Sequence, residues 1–176
     1  MSGTAYAGMS IDLMLGQEFL TWLWFRSETS GSFKTEQYGE FTVSMEQRIV
    51  VQGGAGELIE TASVSGAMSE LREARLGLTT GKKVTRALIR LEQDPETWTF
   101  GFKAEDFSFV NLKTPKIEAG GEKEGNPEGV FFEKIYLLEK GVSFVDALYK
   151  TFLDVRLGSG WPAEVAAIQS WMYPKE

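Results

Sequence analysis

Residues 15–28, LGQEFLTWLWFRSE, constrain the fold of this chain more than any other stretch. Two tryptophans, two phenylalanines and three leucines fall within its first eleven residues. Phe19 with Leu23, and Leu20 with Trp24, stand at i,i+4, which predicts a helix over Gln17–Arg26. Trp22 and Phe25 extend its apolar surface almost around the circumference. A helix apolar on nearly every side has to be buried on more than one of them. The two indoles could instead stack nucleic-acid bases, at ~1–3 kcal/mol per base. Burying a tryptophan removes ~150–250 Å² from water, roughly 4–6 kcal/mol at ~25 cal/mol/Å². Folding therefore claims Trp22, Trp24 and Phe25 first, as core or as a subunit interface.

The cover for such a helix is written further along. Over Tyr38–Gln52, Phe41, Val43 and Met45 alternate with Thr42, Ser44 and Glu46, as a half-buried strand requires. The glycine cluster GGAG at 53–56 reads as a hairpin-type loop, and Leu58, Glu60, Ala62 and Val64 continue a second strand. It lacks the Gly-Lys-Ser/Thr ending of a phosphate loop and opens no helix. A short helix is expected from about Met68, with Ser69 as N-cap, a stripe of Met68, Leu71, Arg75 and Leu78, and Gly81 as its stop. Two more strands follow. Val84–Glu92 carries Ala87, Ile89 and Leu91 on one side, and Thr97–Asp106 carries Trp98, Phe100, Phe102 and Ala104. QDPE at 93–96 is the turn between them.

After a charged loop over 118–129, Phe131, Ile135, Leu138, Val142, Val145, Tyr149 and Phe152 step by 4,3,4,3,4,3. Leu137, Leu148 and Leu153 broaden the stripe, which predicts a core helix of about seven turns, able to contribute to a dimer, with a weak point at Gly141. GSGWP ends it, and Ala163–Met172 makes a short final helix. The fold class expected is α+β: an antiparallel sheet of about four strands packed by helices, with a long C-terminal helix and a short last one. A loose tail over 1–12 would precede a single domain over 13–176.

Composition narrows the chemistry. The 176 residues contain neither cysteine nor histidine, which removes disulfides, Cys-His and Ser-His-Asp nucleophiles and the usual zinc sites. No apolar run reaches the ~18–20 residues of a membrane span, and the N-terminus lacks a signal-peptide pattern, so the expectation is a cytoplasmic protein without membrane partners. Asp94, Glu96, Glu105 and Asp106 are the acids that invite comparison with a magnesium nuclease. They fall in a turn and at a strand end, without a lysine at nuclease-like spacing, and read as solvated charges. No catalytic residue, metal, cofactor or small-molecule substrate is expected.

Charge is unevenly placed. Residues 68–91 hold six basic and two acidic groups, a net +4 within a chain of net charge −7. Lys82, Arg86 and Arg90 fall on even-numbered positions of one strand, with Val84 and Leu88 between them. Charges four residues apart on a strand stand roughly 13 Å from one another, comparable with the ~12 Å major groove. Lys83, Arg72, Arg75 and Lys103 widen this candidate DNA-binding set, and Lys113 and Lys116 extend it. The competing expectation is a solvated face whose cations are neutralised by Glu70, Glu73 and Glu105.

The order of segments resembles the C-terminal half of the RdgC family, bacterial recombination-associated proteins also labelled exonucleases. The resemblance is carried by LGQEFLTWLWFRSE, MEQRIVVQGGAGE, ELREARLGLTTGKKVTRALIRLEQD, LKTPK and FFEKIYLLEK, and spans roughly residues 13–173. Family members are much longer, and this chain has no counterpart of their N-terminal half. The resemblance implies a nucleoid-associated protein that binds duplex DNA without sequence preference, forms a ring-shaped homodimer and restrains RecA-driven strand exchange. On that view Lys82, Lys83, Arg86 and Arg90 are candidates, by charge, for the DNA-facing surface. The alternative is a protein–protein assembly module with no nucleic-acid binding.

Overall fold

The structure is a computed structural model that describes residues 11–53, 60–65, 75–79, 81–116 and 127–173. Helix α1 (Ile11–Thr29) leads into strands β1 (Ser32–Thr35), β2 (Gly39–Gly53) and β3 (Glu60–Ser65). Strands β4 (Lys83–Gln93), β5 (Glu96–Lys103) and β6 (Ser108–Lys113) follow, then helices α2 (Pro127–Leu157) and α3 (Trp161–Met172). The strands form one antiparallel sheet in the order β1-β2-β4-β5-β6, with β3 also on β2. Strand β2 is long enough to hold both β1 and β3 on one side, along different halves, while β4 runs along the other.

The α+β class is as the sequence indicates, with two strands more than the four read from it. β1 has a single apolar residue among its four, and β6 breaks alternation at a bulge, so neither carries a period-2 signal. Helix α1 begins at Ile11, so residues 11 and 12 belong to it and not to a tail. Residues 1–10, the glycine loop at 54–56, Leu58, the early helix positions Met68, Ser69 and Leu71, and the loop at 118–126 lie outside the described residues. Where the helix preceding β4 is described, at 75–79, Gly81 stops it as expected. Gly81 adopts a φ of 87°; its N–H reaches the Leu78 carbonyl and that of Lys82 the Gly77 carbonyl, the paired bonds of a Schellman ending.

Helix α1 is covered from three directions, which is what its sequence demanded. Phe19 meets Phe102 of the sheet at 5.8 Å and Phe152 of α2 at 5.5 Å, while Trp24 meets Trp171 of α3 at 5.1 Å. Trp22, Trp24 and Phe25 are all buried within the single chain, so they are core. Each indole N–H finds a carboxylate at the rim: Trp22 donates to Glu164 at 3.0 Å and Trp24 to Glu28 at 2.9 Å.

Helix α2 is rotated from the expected orientation. Its buried face is Leu137, Lys140, Gly141, Phe144, Leu148 and Phe152, about a third of a turn from the 4,3 stripe. The first half of that stripe, Phe131, Ile135, Leu138 and Val142, is exposed, because the neighbouring face of the helix is the one laid on the sheet. Gly141 is no weak point. A Cβ there would lie 2.8 Å from Trp98 Cδ1, and the Trp98 N–H donates to the Leu137 carbonyl at 2.9 Å. The indole thus lies directly on the helix backbone.

Beside it Lys140, 8% exposed, pairs with Glu96 at 3.0 Å under the rings of Tyr38 and Trp98. Removing one partner of a buried pair strands the other charge. Glu96 is nearer solvent than Lys140, so the two deletions are unequal. Glu96→Gln should cost about 3 kcal/mol and Lys140→Met about 1 kcal/mol, read from urea unfolding; the reverse order would disprove this account.

Candidate nucleic-acid interface

The described helices that touch the sheet lie on one side of it, against β1, β2 and β4 and against Trp98 and Phe102 of β5. The other side is an open face on which charged and small polar residues stand around an apolar strip of Val50, Leu88 and Val110. Arg86 of β4 is the cross-strand partner of Lys103 on β5, and Arg90 is the partner of Thr99, itself the partner of Lys113 on β6. Four cations therefore occupy two rows on this face. At ~3.3 Å per residue and ~4.8 Å per strand, the rows lie roughly 13 Å apart, and Arg90 and Lys113 about 10 Å from one another. Arg86 and Lys103 flank a shallow depression of about 300 Å³ floored by Val50, Leu88, Gly101 and Val110.

Two bulges decide which residues reach the face. In β4, Val50 pairs with Arg86 but Val51 with Val84, so one extra residue, Thr85, breaks the alternation. Val84 is consequently buried while Arg86 points outward. The expectation that Lys82 and Val84 share a face with Arg86 and Arg90 is thus corrected: strict period 2 does not survive a bulge. In β6 the extra residue is Asn111, at a φ of 53°. It turns Leu112 inward, to the Trp98–Phe100 side, and returns Lys113 to the open face.

The remaining expected residues go elsewhere. Lys82 lines a cavity of about 590 Å³ on the helix side, with Gln17, Glu18, Trp161, Ile168 and Met172, and Lys83 stands exposed at its edge. Arg75 pairs with Glu28 at 3.2 Å and lies over the Trp171 ring at 5.4 Å. It braces α1 against α3 and takes no part in the open face. Arg72, with Glu70 and Glu73, lies outside the described residues. Of the seven residues expected to bind DNA, Arg86, Arg90 and Lys103 are brought together, and Lys113 completes the group.

Carboxylates accompany these cations. Arg86 lies 3.5 Å from Glu105, both half-exposed, and Arg90 is bracketed by Glu46 at 3.6 Å and by Glu92. Exposed pairs of this kind are worth about 0–1 kcal/mol, so they hold the guanidinium groups in place without committing them. The acids considered for catalysis are separated. Glu96 is bound to Lys140 at the β4–β5 turn, and Glu105 and Asp106 stand at the far end of β5. Asp106 accepts the Ser108 N–H at 3.0 Å, and hydrogen bonds from Ser108 hold its carboxyl below the usual range. Among the described residues no cluster of three or more acids could hold a metal ion, and no helix is long and apolar enough to cross a membrane.

No family model matches this chain, and neither does any curated protein or solved structure.

Proposed function

We propose that this chain is a sequence-independent duplex-DNA-binding, dimerising domain that grips phosphates with its open sheet face. Its setting is the one the resemblance to RdgC implies: a cytoplasmic, nucleoid-associated protein that modulates RecA-dependent recombination. The observation that carries the reading is the pair of cation rows, Arg86–Lys103 and Arg90–Lys113, on the one broad face that no described helix covers. A spacing of roughly 13 Å between rows suits phosphates on opposite sides of a groove. No aromatic ring of the described strands is directed to this face, so it offers no platform for stacking bases. Contacts of this kind position a duplex without reading its sequence. The reading includes no catalytic step.

Four phosphate contacts predict a slope near −3.6 for log K against log salt, at ~−0.9 per contact. Fluorescence anisotropy on labelled duplexes of unrelated sequence should give the same slope and equal affinities. The absence of binding even at low ionic strength would leave the assembly-module reading, which the carboxylates beside Arg86 and Arg90 favour.

A further inference from the structure

We infer that the cleft between α1 and α3 binds a small amphipathic carboxylate: its apolar body lies against α3, an N–H donates to Gln17, and its carboxylate sits toward Lys82 and Lys83. The cleft lies on the helix side of the sheet, so the inference stands apart from the phosphate reading.

The cleft follows from how α3 is held. Trp161, Val165, Ile168 and Met172 are spaced 4,3,4, and at 100° per residue they fall within an arc of about 60°. Such a stripe ordinarily closes on its neighbour, yet Ile168 is the only buried residue of this helix. Glu164 and Trp171 stand together on one shoulder of the stripe, and α1 holds the helix by that shoulder. Arg26 pairs with Glu164 at 2.8 Å, Trp22 donates to Glu164 at 3.0 Å, and Trp171 donates to Glu28 at 2.7 Å. The four stripe residues are thereby left lining a cavity of about 590 Å³, inside the ~300–1,000 Å³ range of small-molecule sites.

The opposite wall supplies the polar groups. The side-chain oxygen of Gln17 is buried and accepts no hydrogen bond from the described residues. Arg26, Arg75 and Glu96 also have a buried unbonded atom, but each of them is in an ion pair. Buried polar atoms are normally bonded, so the Gln17 oxygen calls for a donor, and a ligand N–H supplies one. Gln17 lies toward the lysine end of the cleft. Its neighbour Gly16 packs on the Ala104 carbonyl, and the Ala104 N–H is bonded to Thr85, two residues beyond Lys83. Charge at this end is positive. The one carboxylate among the described lining residues, Glu18, is held by Arg156 at 2.7 Å, which leaves the two lysines in excess. That lining has no arginine fork, the usual grip on phosphate, and so favours a singly charged carboxylate.

Indole-3-propionate carries all three features and is the probe. Calorimetric titration into the full chain should show saturable binding. Indole, without the carboxylate, and the N-methyl derivative, without the donor, should each bind about tenfold more weakly, the equivalent of about 1.4 kcal/mol. Lys83→Glu, at an exposed position, should weaken the carboxylate probe by about tenfold while leaving indole binding and Tm unchanged. In Gln17→Leu the N-methyl and parent probes should bind alike. Val165→Phe fills the cleft and should abolish binding without lowering Tm. The absence of saturation at millimolar probe, an N–H preference that survives Gln17→Leu, or full affinity in Lys83→Glu overturns the proposal. So does binding retained by Val165→Phe; the exposed Lys83 variant decides the matter even where Val165→Phe does not fold.

Discussion

Replacing Arg86 and Arg90 together by glutamate should abolish retention on duplex DNA while leaving the fold intact. Both side chains are well exposed, Arg86 at 56% and Arg90 at 41%, and neither contributes to the core. Their ion pairs with Glu105, Glu46 and Glu92 are surface pairs, so losing them costs about 1 kcal/mol each at most. On DNA the effect is larger. Two of the four proposed phosphate contacts would be removed, and the salt slope should fall from about −3.6 to about −1.8. A charge-assisted contact of about 1.4 kcal/mol is worth tenfold in affinity, so removing two costs roughly 100-fold before repulsion is counted. The new carboxylates would stand in a cluster with Glu46, Glu92 and Glu105, adding repulsion toward phosphate. Alanine at both positions should give the milder, contact-only loss. Anisotropy at low salt measures both, and thermal melting verifies the fold. Unchanged DNA binding by the glutamate variant would remove the open face from consideration.

How much of this was legible beforehand depends on whether a residue's role is local. The burial of Trp22 and Trp24 followed from a helix apolar all round, and the core sides of β4 and β5 followed from alternation, because both are properties of short windows. Gly81 as a helix stop was equally local. The cation face was only partly legible. Arg86, Arg90 and Lys103 could be placed by parity, but Lys82 was misplaced because the bulge at Thr85 arises from pairing with β2 and leaves no mark in β4 alone. Lys113 was noticed only as a neighbour, since the Asn111 bulge concealed the strand carrying it. The orientation of α2 was the largest misreading. A 4,3 stripe states that a helix has an apolar seam and does not say what meets it. The sheet took the neighbouring face, through Gly141 and Phe144, and left the first half of the seam outward. Lys140 would have passed for a surface charge; its burial depends on Glu96, forty-four residues away.

Gly16→Ala should be the most destabilising single-methyl substitution in the described chain, against the sign that helix propensity alone would give. Alanine is favoured over glycine by about 1 kcal/mol in a helix interior. At this position, though, a Cβ would sit 2.1 Å from the Ala104 carbonyl oxygen and 2.9 Å from its carbon. Both are backbone atoms, so no rotamer change relieves the contact. Ala104 cannot easily retreat, because its N–H is bonded to the Thr85 carbonyl at 2.9 Å, at the bulge that sets the register of the cation face. The alternative is for α1 to lift by about 1 Å. Phe19, Trp22 and Leu23 ride on the same helix, and a gap of that size forfeits a quarter to a half of each dispersion contact. Overpacking a core costs about 1–3 kcal/mol where side chains can yield; here a loss of about 4 kcal/mol is expected, or roughly 10 °C in Tm for a chain of this length. Urea and thermal melts test it, and an unchanged or raised Tm would refute the close approach of α1 to β5. The substitution also reaches the open face, since Ala104 lies between Lys103 and Glu105. Whichever way the strain relaxes, the Arg86–Lys103 row is the first part of the surface to move. Weakened DNA binding at temperatures well below the melt should therefore accompany the lost stability, although residue 16 lies on the far side of the sheet from any phosphate.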